Sequence, residues 1–200
     1  MRLHRSGLKF TNGRSVKVSE VGTLPITVER LQEHLRVDGD SDYLESLIRV
    51  AANYAAEYMQ RSFVETTRKR QWDLYDWTPQ LRREHVARNP LTLTYPPVKS
   101  VDRVVAYLSD GSEVELTQYT ADIAADPGRV LLHEATVGRE IASIAVEYTA
   151  GYEDVPKVIE QGILMHAAYL YEYRGECDGS EAGRKSGAHG MYDAYKVALI

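Results

Sequence analysis

The chain has 200 residues, 44% hydrophobic and 26% charged, which suits one globular domain and excludes a fibrous or wholly disordered polymer. A chain of this size buries roughly 70% of the surface its unfolded form exposes, so it needs no disulfide or metal staple. Its 24 basic and 29 acidic residues give a net charge of −5, which argues against a protein that wraps duplex DNA over its whole surface. The single cysteine, Cys177, cannot close an internal disulfide and suits a reducing compartment. No apolar run approaches the roughly 20 residues that span a bilayer, and the first residues lack the layout of a signal peptide, so export by that route is not expected. Fourteen tyrosines stand against two Phe and two Trp, and a ring with a polar tip suits half-buried surfaces and subunit contacts.

Residues 1–24 carry Arg2, Arg5, Lys9, Arg14 and Lys17 against one acid, Glu20. They read as a basic N-terminal arm held only by a partner, or as an ordinary ragged terminus. A helix is expected over 27–37, where Thr27 can cap, Val28, Leu31 and Leu35 recur at helical spacing, and Asp38-Gly39 stops the pattern. A second is expected over 42–61: Asp42 and Glu45 have capping-box spacing, and Leu44, Ile48, Ala51, Ala55 and Tyr58 form one stripe. From Phe63 the period changes to that of strands, giving a β region over 63–150. Val101, Val105 and Tyr107 alternate with Asp102, Val104 and Leu108 before the hairpin dipeptide Asp110-Gly111. Further strands are expected at 129–132 and 141–149, with turns at Tyr95-Pro96-Pro97, Asp126-Pro127-Gly128 and Ala150-Gly151.

A long helix over 156–174 opens at Pro156 and repeats Ile159, Ile163, His166, Leu170 and Tyr173. Residues 176–200 read as a flexible, glycine-rich tether with an apolar docking end. The expected fold class is α+β. It comprises a small helical bundle of two N-terminal helices and a long C-terminal helix, an inserted antiparallel β region with one side covered by helices, and extended termini; the folded domain would span 25–175.

No chemistry-bearing constellation emerges. His4, His34, His85, His133, His166 and His189 show no ligand spacing, so neither a metal nor any cofactor is expected, and His166 on an apolar stripe reads as a core or interface histidine. Gly179 to Ser186 has its glycines one residue too close for a phosphate loop and follows a helix rather than a strand. Cys177 reads as a free surface thiol, and the acid pairs Glu153-Asp154 and Glu172/Glu176 as solvated charge. An enzyme is not expected. The best nucleic-acid candidate is Arg68, Lys69 and Arg70 with Arg82-Arg83, interleaved with Trp72, Tyr75 and Trp77; the competing reading is a solvated hairpin or interface rim.

From Ile26 to Arg174 the sequence resembles the head-tail connector (adaptor) proteins of long-tailed phages and gene transfer agents. The resemblance is carried in order by Ile26-Thr27-Val28-Glu29, His34-Leu35-Arg36-Val37-Asp38 with Asp42, Tyr95-Pro96-Pro97-Val98-Lys99-Ser100-Val101 and Asp126-Pro127-Gly128-Arg129-Val130. It continues through Val146-Glu147-Tyr148-Thr149-Ala150-Gly151-Tyr152, Val155-Pro156 and Tyr171-Glu172-Tyr173-Arg174. It implies a structural virion protein, assembled in the host cytoplasm and located in the neck at the portal vertex. Such a protein forms a homo-oligomeric ring of typically twelve copies beneath the portal protein, and the ring extends the channel for genomic DNA and offers a platform to the next neck, stopper or tail-terminator protein. On this resemblance Tyr192, Tyr195, Val197, Leu199 and Ile200 are expected to dock on the portal or a neighbour. Tyr169, Tyr173, Arg174, Trp72 and Trp77 are candidate subunit contacts, and Arg68, Lys69 and Arg70 possible DNA contacts. The alternative is a nucleic-acid-binding protein using the basic arm and the Arg68 to Arg83 region.

Overall fold

The computed structural model describes residues 14–20, 23–74, 90–133 and 141–197. The chain folds into two units, each built from two stretches of sequence: Met1–Ser19 with Thr66–Ala150, and Glu20–Glu65 with Gly151–Ile200.

The first unit holds β1 (Arg14–Glu20), β2 (Thr66–Asp73), β3 (Leu91–Thr92), β4 (Val98–Leu108), β5 (Glu113–Glu115), β6 (Tyr119–Asp122), β7 (Arg129–Leu132) and β8 (Ile141–Ala150). They form a five-stranded sheet, β1-β2-β8-β4-β5, and a three-stranded sheet, β3-β7-β6. β8 runs antiparallel to β2 on one side and β4 on the other, with Ile144 opposite both Trp72 and Ala106, and Val146 opposite both Arg70 and Val104. Opposed residues share a face, so the alternation along three strands collects Trp72, Val104, Ala106, Ile144, Val146 and Tyr148 on one side. Leu91, Leu93, Val130 and Leu132 from the smaller sheet and its flanks complete that buried cluster. Among the described residues, side chains of the second sheet cover the apolar face, because β3, β7 and Leu93 supply the alternating leucines and valine that fill it. At the β4–β5 hairpin the Leu108 N–H donates to Ser112 at 2.9 Å, and the Asp110 carboxylate accepts the Ser112 N–H at 2.8 Å. The Ser112 hydroxyl and N–H together hold the Asp110 carboxyl below the usual carboxylate range.

The second unit contains α1 (Val28–Leu35), α2 (Ser41–Met59), α3 (Lys157–Glu172), α4 (Gly179–Lys185) and α5 (Ala188–Asp193). Thr27 caps α1 as its sequence suggests, accepting the Arg30 N–H at 3.3 Å. α2 starts at Ser41, one residue before the Asp42 start, with Asp40 in the left-handed region at its N-cap. Leu31, Leu44, Ile48, Ala51, Ala55, Ile159 and Ile163 pack into one core with Ala188 and Tyr192. Half-buried Arg30 and exposed Lys157 clasp the buried Glu160, tying α1 to α3. Burial alone would raise the Glu160 carboxyl, but the hydrogen bonds from Lys157 and Arg30 outweigh it and the pKa falls.

The expected layout of a three-helix bundle ending in a long helix is not what forms. The residues expected to be a tether make α4 and α5, because Asp178 caps α4 by accepting the Glu181 N–H at 2.8 Å and because Ala182, Ala188 and Tyr192 have a core to enter. Small residues that suggest flexibility here permit close packing: a Cβ on Gly162 of α3 would lie 2.6 Å from the Tyr192 ring. At the other end, residues 14–20 of the expected arm form an edge strand of the larger sheet. No helix among the described residues is long and apolar enough to cross a membrane.

Gly151 follows β8 at φ 139°, and a Cβ there would sit 2.7 Å from the Val64 carbonyl carbon. Both the backbone angle and the neighbouring backbone exclude a side chain. Gly151→Ala is therefore expected to destabilise the protein by about 1–3 kcal/mol, read as a lowered denaturation midpoint with an unchanged slope.

His166 is fully buried between the Tyr54 ring, edge-on at 5.3 Å, and Tyr192, whose hydroxyl is 3.4 Å from Nδ1. Its Nε2 has no hydrogen-bond partner among the described residues. Burial lowers its pKa from 6.5 to about 4. The folded state thus keeps it neutral while the unfolded chain takes up a proton near pH 6.5, so its contribution is complete above that pH and is lost as pH falls toward 4. Compared with His166→Leu, the wild-type protein should lose on the order of 3 kcal/mol more stability between pH 7 and pH 4 in urea titrations. Parallel pH profiles for the two proteins would refute this.

Candidate functional site

The basic run Arg68-Lys69-Arg70 is not a phosphate-facing patch. In β2 its alternate residues face opposite ways, and Arg68 and Arg70 share the apolar face with Trp72, at 7% and 6% exposure. Arg68 stacks 3.6 Å from the Tyr95 ring centroid, while Arg70 donates to the Thr92 carbonyl at 2.5 Å and lies 5.2 Å from the Trp72 ring. Burial lowers the Arg70 pKa. Lys69 points to the other face, where it donates to the Tyr107 hydroxyl at 2.7 Å and pairs with Glu147 at 3.5 Å. The arginines therefore act as long amphipathic struts in the sheet, their stems packed and their heads laid against aromatic rings, with one Arg70 nitrogen on the Thr92 carbonyl and its Nε without a partner among the described residues.

Trp72, a candidate subunit contact, is 2% exposed and fills the same core. Trp77, Tyr75 and Arg82-Arg83 lie outside the described residues. The C-terminal docking set is also largely spent within the chain. Tyr192 is wholly buried, Val197 is buried with its N–H on the Met59 carbonyl at 3.0 Å, and the Tyr195 carbonyl takes Arg61 Nε at 2.5 Å. Leu199 and Ile200 lie outside the described residues.

Tyrosines on α2 secure this return of the chain. Tyr58 donates to Asp193 at 2.7 Å and stacks on His189 at 4.5 Å, while the Tyr54 hydroxyl is 3.0 Å from His189 Nε2. The Asp193 hydrogen bond raises the Tyr58 pKa. Much of the tyrosine surplus therefore serves intrachain packing.

Three of the expected subunit contacts are brought together near the end of α3. Tyr169 and Tyr173 stack at 4.3 Å, and the Arg174 guanidinium lies over Tyr171 at 4.1 Å and over Tyr43 at 4.8 Å. Tyr43 and Tyr173 remain exposed at 38% and 42%. Tyr43 and its meeting with Arg174 were not readable from the sequence, since nothing in the first turn of α2 announces a partner so far along the chain. A second set of exposed apolar side chains lies on the larger sheet: Val16 and Val18 on β1 and Val114 on β5.

Among the described residues no three His, Cys, Asp or Glu side chains are grouped to hold a metal. Cys177 is half-exposed, and burial together with nearby Glu181 raises its pKa, which opposes thiolate chemistry.

The sequence matches no protein-family model and no curated protein. Solved structures do match across almost the whole chain. One chain from the virion of a native gene transfer agent particle superimposes with a TM-score of 0.71 at 15% identity, covering 93% of this chain and 96% of that one. Another, from the neck of an empty gene transfer agent particle computed with C6 symmetry, gives a TM-score of 0.65 at 18% identity, with 91% and 96% covered. A third, from the neck of a native particle computed with C12 symmetry, gives 0.65 at 18% identity, with 92% and 97% covered. At these identities the likeness is one of fold: over more than nine-tenths of its length this chain has the fold of chains in gene transfer agent virions and necks.

Proposed function

We propose that this chain is a structural subunit of the neck of a phage-like particle, the head-tail connector (adaptor) that forms a ring beneath the portal and continues the DNA channel toward the tail. The observation that carries this reading is the fold shared, over more than nine-tenths of both chains, with neck components of gene transfer agent particles. The C12 symmetry used for one of those necks favours a ring of twelve copies. A net charge of −5 suits a wall past which DNA must slide without adhering.

In this reading Tyr173, Arg174 and Tyr43 belong to a surface offered to a neighbour, and portal docking by the C-terminal segment falls to Leu199 and Ile200. Arginine and tyrosine that keep a flat, pre-stacked surface lose little rotamer freedom on binding. Arg174→Ala is expected to weaken ring assembly about tenfold or more if the residue is central to the contact, while leaving the thermal midpoint of the isolated chain nearly unchanged. Cryo-electron microscopy and peptide mass spectrometry of purified particles test the assignment itself: the chain should be found at the portal vertex in about twelve copies, the number favoured by the C12 symmetry of one similar neck. Recovery only from the capsid shell or only outside particles would overturn it.

A further inference from the structure

Among the described residues the larger sheet has two open edges, β1 at one end and β5 at the other. An open edge presents a row of backbone donors and acceptors to any strand that can reach it. On β5 the bonding phase can be read directly. Leu108 N–H donates to Ser112 at 2.9 Å and Leu116 N–H to Val104 at 2.8 Å, with Val114 opposite Ala106 between them. Hydrogen-bonded positions alternate, so the backbone of Val114 faces β4 and the N–H and C=O groups of Glu113 and Glu115 face outward.

The two edges are complementary in charge and pattern. β1 reads Arg-Ser-Val-Lys-Val-Ser-Glu and β5 reads Glu-Val-Glu. Val16, Val18 and Val114 are 51%, 60% and 45% exposed, unusual for valine on a strand unless another surface covers it. Glu113 and Glu115 lie 3.9 and 3.5 Å from Arg103, but all three side chains are at least two-fifths exposed, so the pairs are weak and the carboxylates remain reachable. An antiparallel register that sets Lys17 against Glu115 also sets Val18 against Val114 and Val16 against Leu116. Pairing β5 with itself about Val114 opposes glutamate to glutamate at both flanking positions, which is unfavourable; pairing β1 with itself about Lys17 opposes lysine to lysine at its centre, sets Arg14 against Glu20 at its ends, and leaves the β5 edge uncovered.

We propose that β1 of one copy adds to the β5 edge of the next, carrying the five-stranded sheet from subunit to subunit. Such a contact is heterologous: it uses two different patches on every copy and continues until a ring or filament results. The inference rests on the ring reading above for closure, and on the sheet edges alone for the contact. Because the Val114 backbone faces β4, the Val18–Val114 pair across the new edge is a non-hydrogen-bonded one, in which side chains approach most closely and a disulfide can form.

The test uses the full chain with Cys177→Ser. Val18→Cys and Val114→Cys in the same chain should give, on mild oxidation at high protein concentration, a reducible ladder of oligomers longer than dimers. The two single variants mixed should give a one-to-one heterodimer in preference to homodimers. Glu115→Lys should lower the bridging yield by about two- to fivefold, and Lys17→Glu in the partner should restore it, as expected for one cross-strand charge pair. Homodimers only, or no Val18–Val114 bridge either in solution or in assembled particles, would overturn the proposal. Rings found in necks without this bridge would sink the inference and leave the neck assignment standing. A bridge formed by a chain that never occurs in necks would do the reverse.

Discussion

β8 is the strand on which the sheet unit depends. It is hydrogen-bonded on both sides and nearly all its residues are buried, so its ten residues must be small or apolar wherever they meet another layer. The sequence Ile-Ala-Ser-Ile-Ala-Val-Glu-Tyr-Thr-Ala meets that constraint with large side chains toward the second sheet and mainly small or polar ones on the other face. Tyr148 shows how the polar remainder is handled: its ring is buried and its hydroxyl donates to the Thr94 carbonyl at 2.7 Å. An unmade bond at that depth would cost on the order of 1–3 kcal/mol, so this bond helps to hold the Thr94 loop against the strand.

The same rule of alternation explains where the basic run goes. Two arginines separated by one residue must share a face in a strand, and once Trp72 two positions later is buried, Arg70 and Arg68 follow it inward. The sheet accommodates them by giving each guanidinium an aromatic ring and, for Arg70, a carbonyl. Charge read along the chain as a cluster is therefore split by geometry into two buried struts and one lysine paired across the opposite face.

What could be read from the sequence was whatever is set by local chemistry. The Thr27 cap, the α2 stripe, the Asp110-Gly111 hairpin, and the strands now seen at 129–132 and 141–150 each depend on a few adjacent residues, and they form close to where that chemistry places them. The misreadings share a different cause. Glycine-rich residues 175–190 were ambiguous because Gly162, Tyr54 and Tyr58, far away in sequence, decide whether small residues there stay loose or pack. The buried fates of Tyr192, Val197 and Trp72 likewise depend on partners that no spacing rule reveals.

These corrections narrow where assembly can occur. A chain whose C-terminal apolar residues close its own helical core, and whose basic run braces its own sheet, has fewer surfaces left for neighbours than its composition suggests. Among the described residues two of those surfaces are built for specific contact. One is a flat aromatic and arginine group at the end of α3, suited to specificity through a few large side chains. The other is a pair of strand edges, which offer main-chain hydrogen bonds at little entropic cost because the strands are already extended. A subunit that must meet identical copies on two sides needs two unlike contacts, and an edge pair of opposite charge supplies them from one sheet without any segment having to fold on arrival.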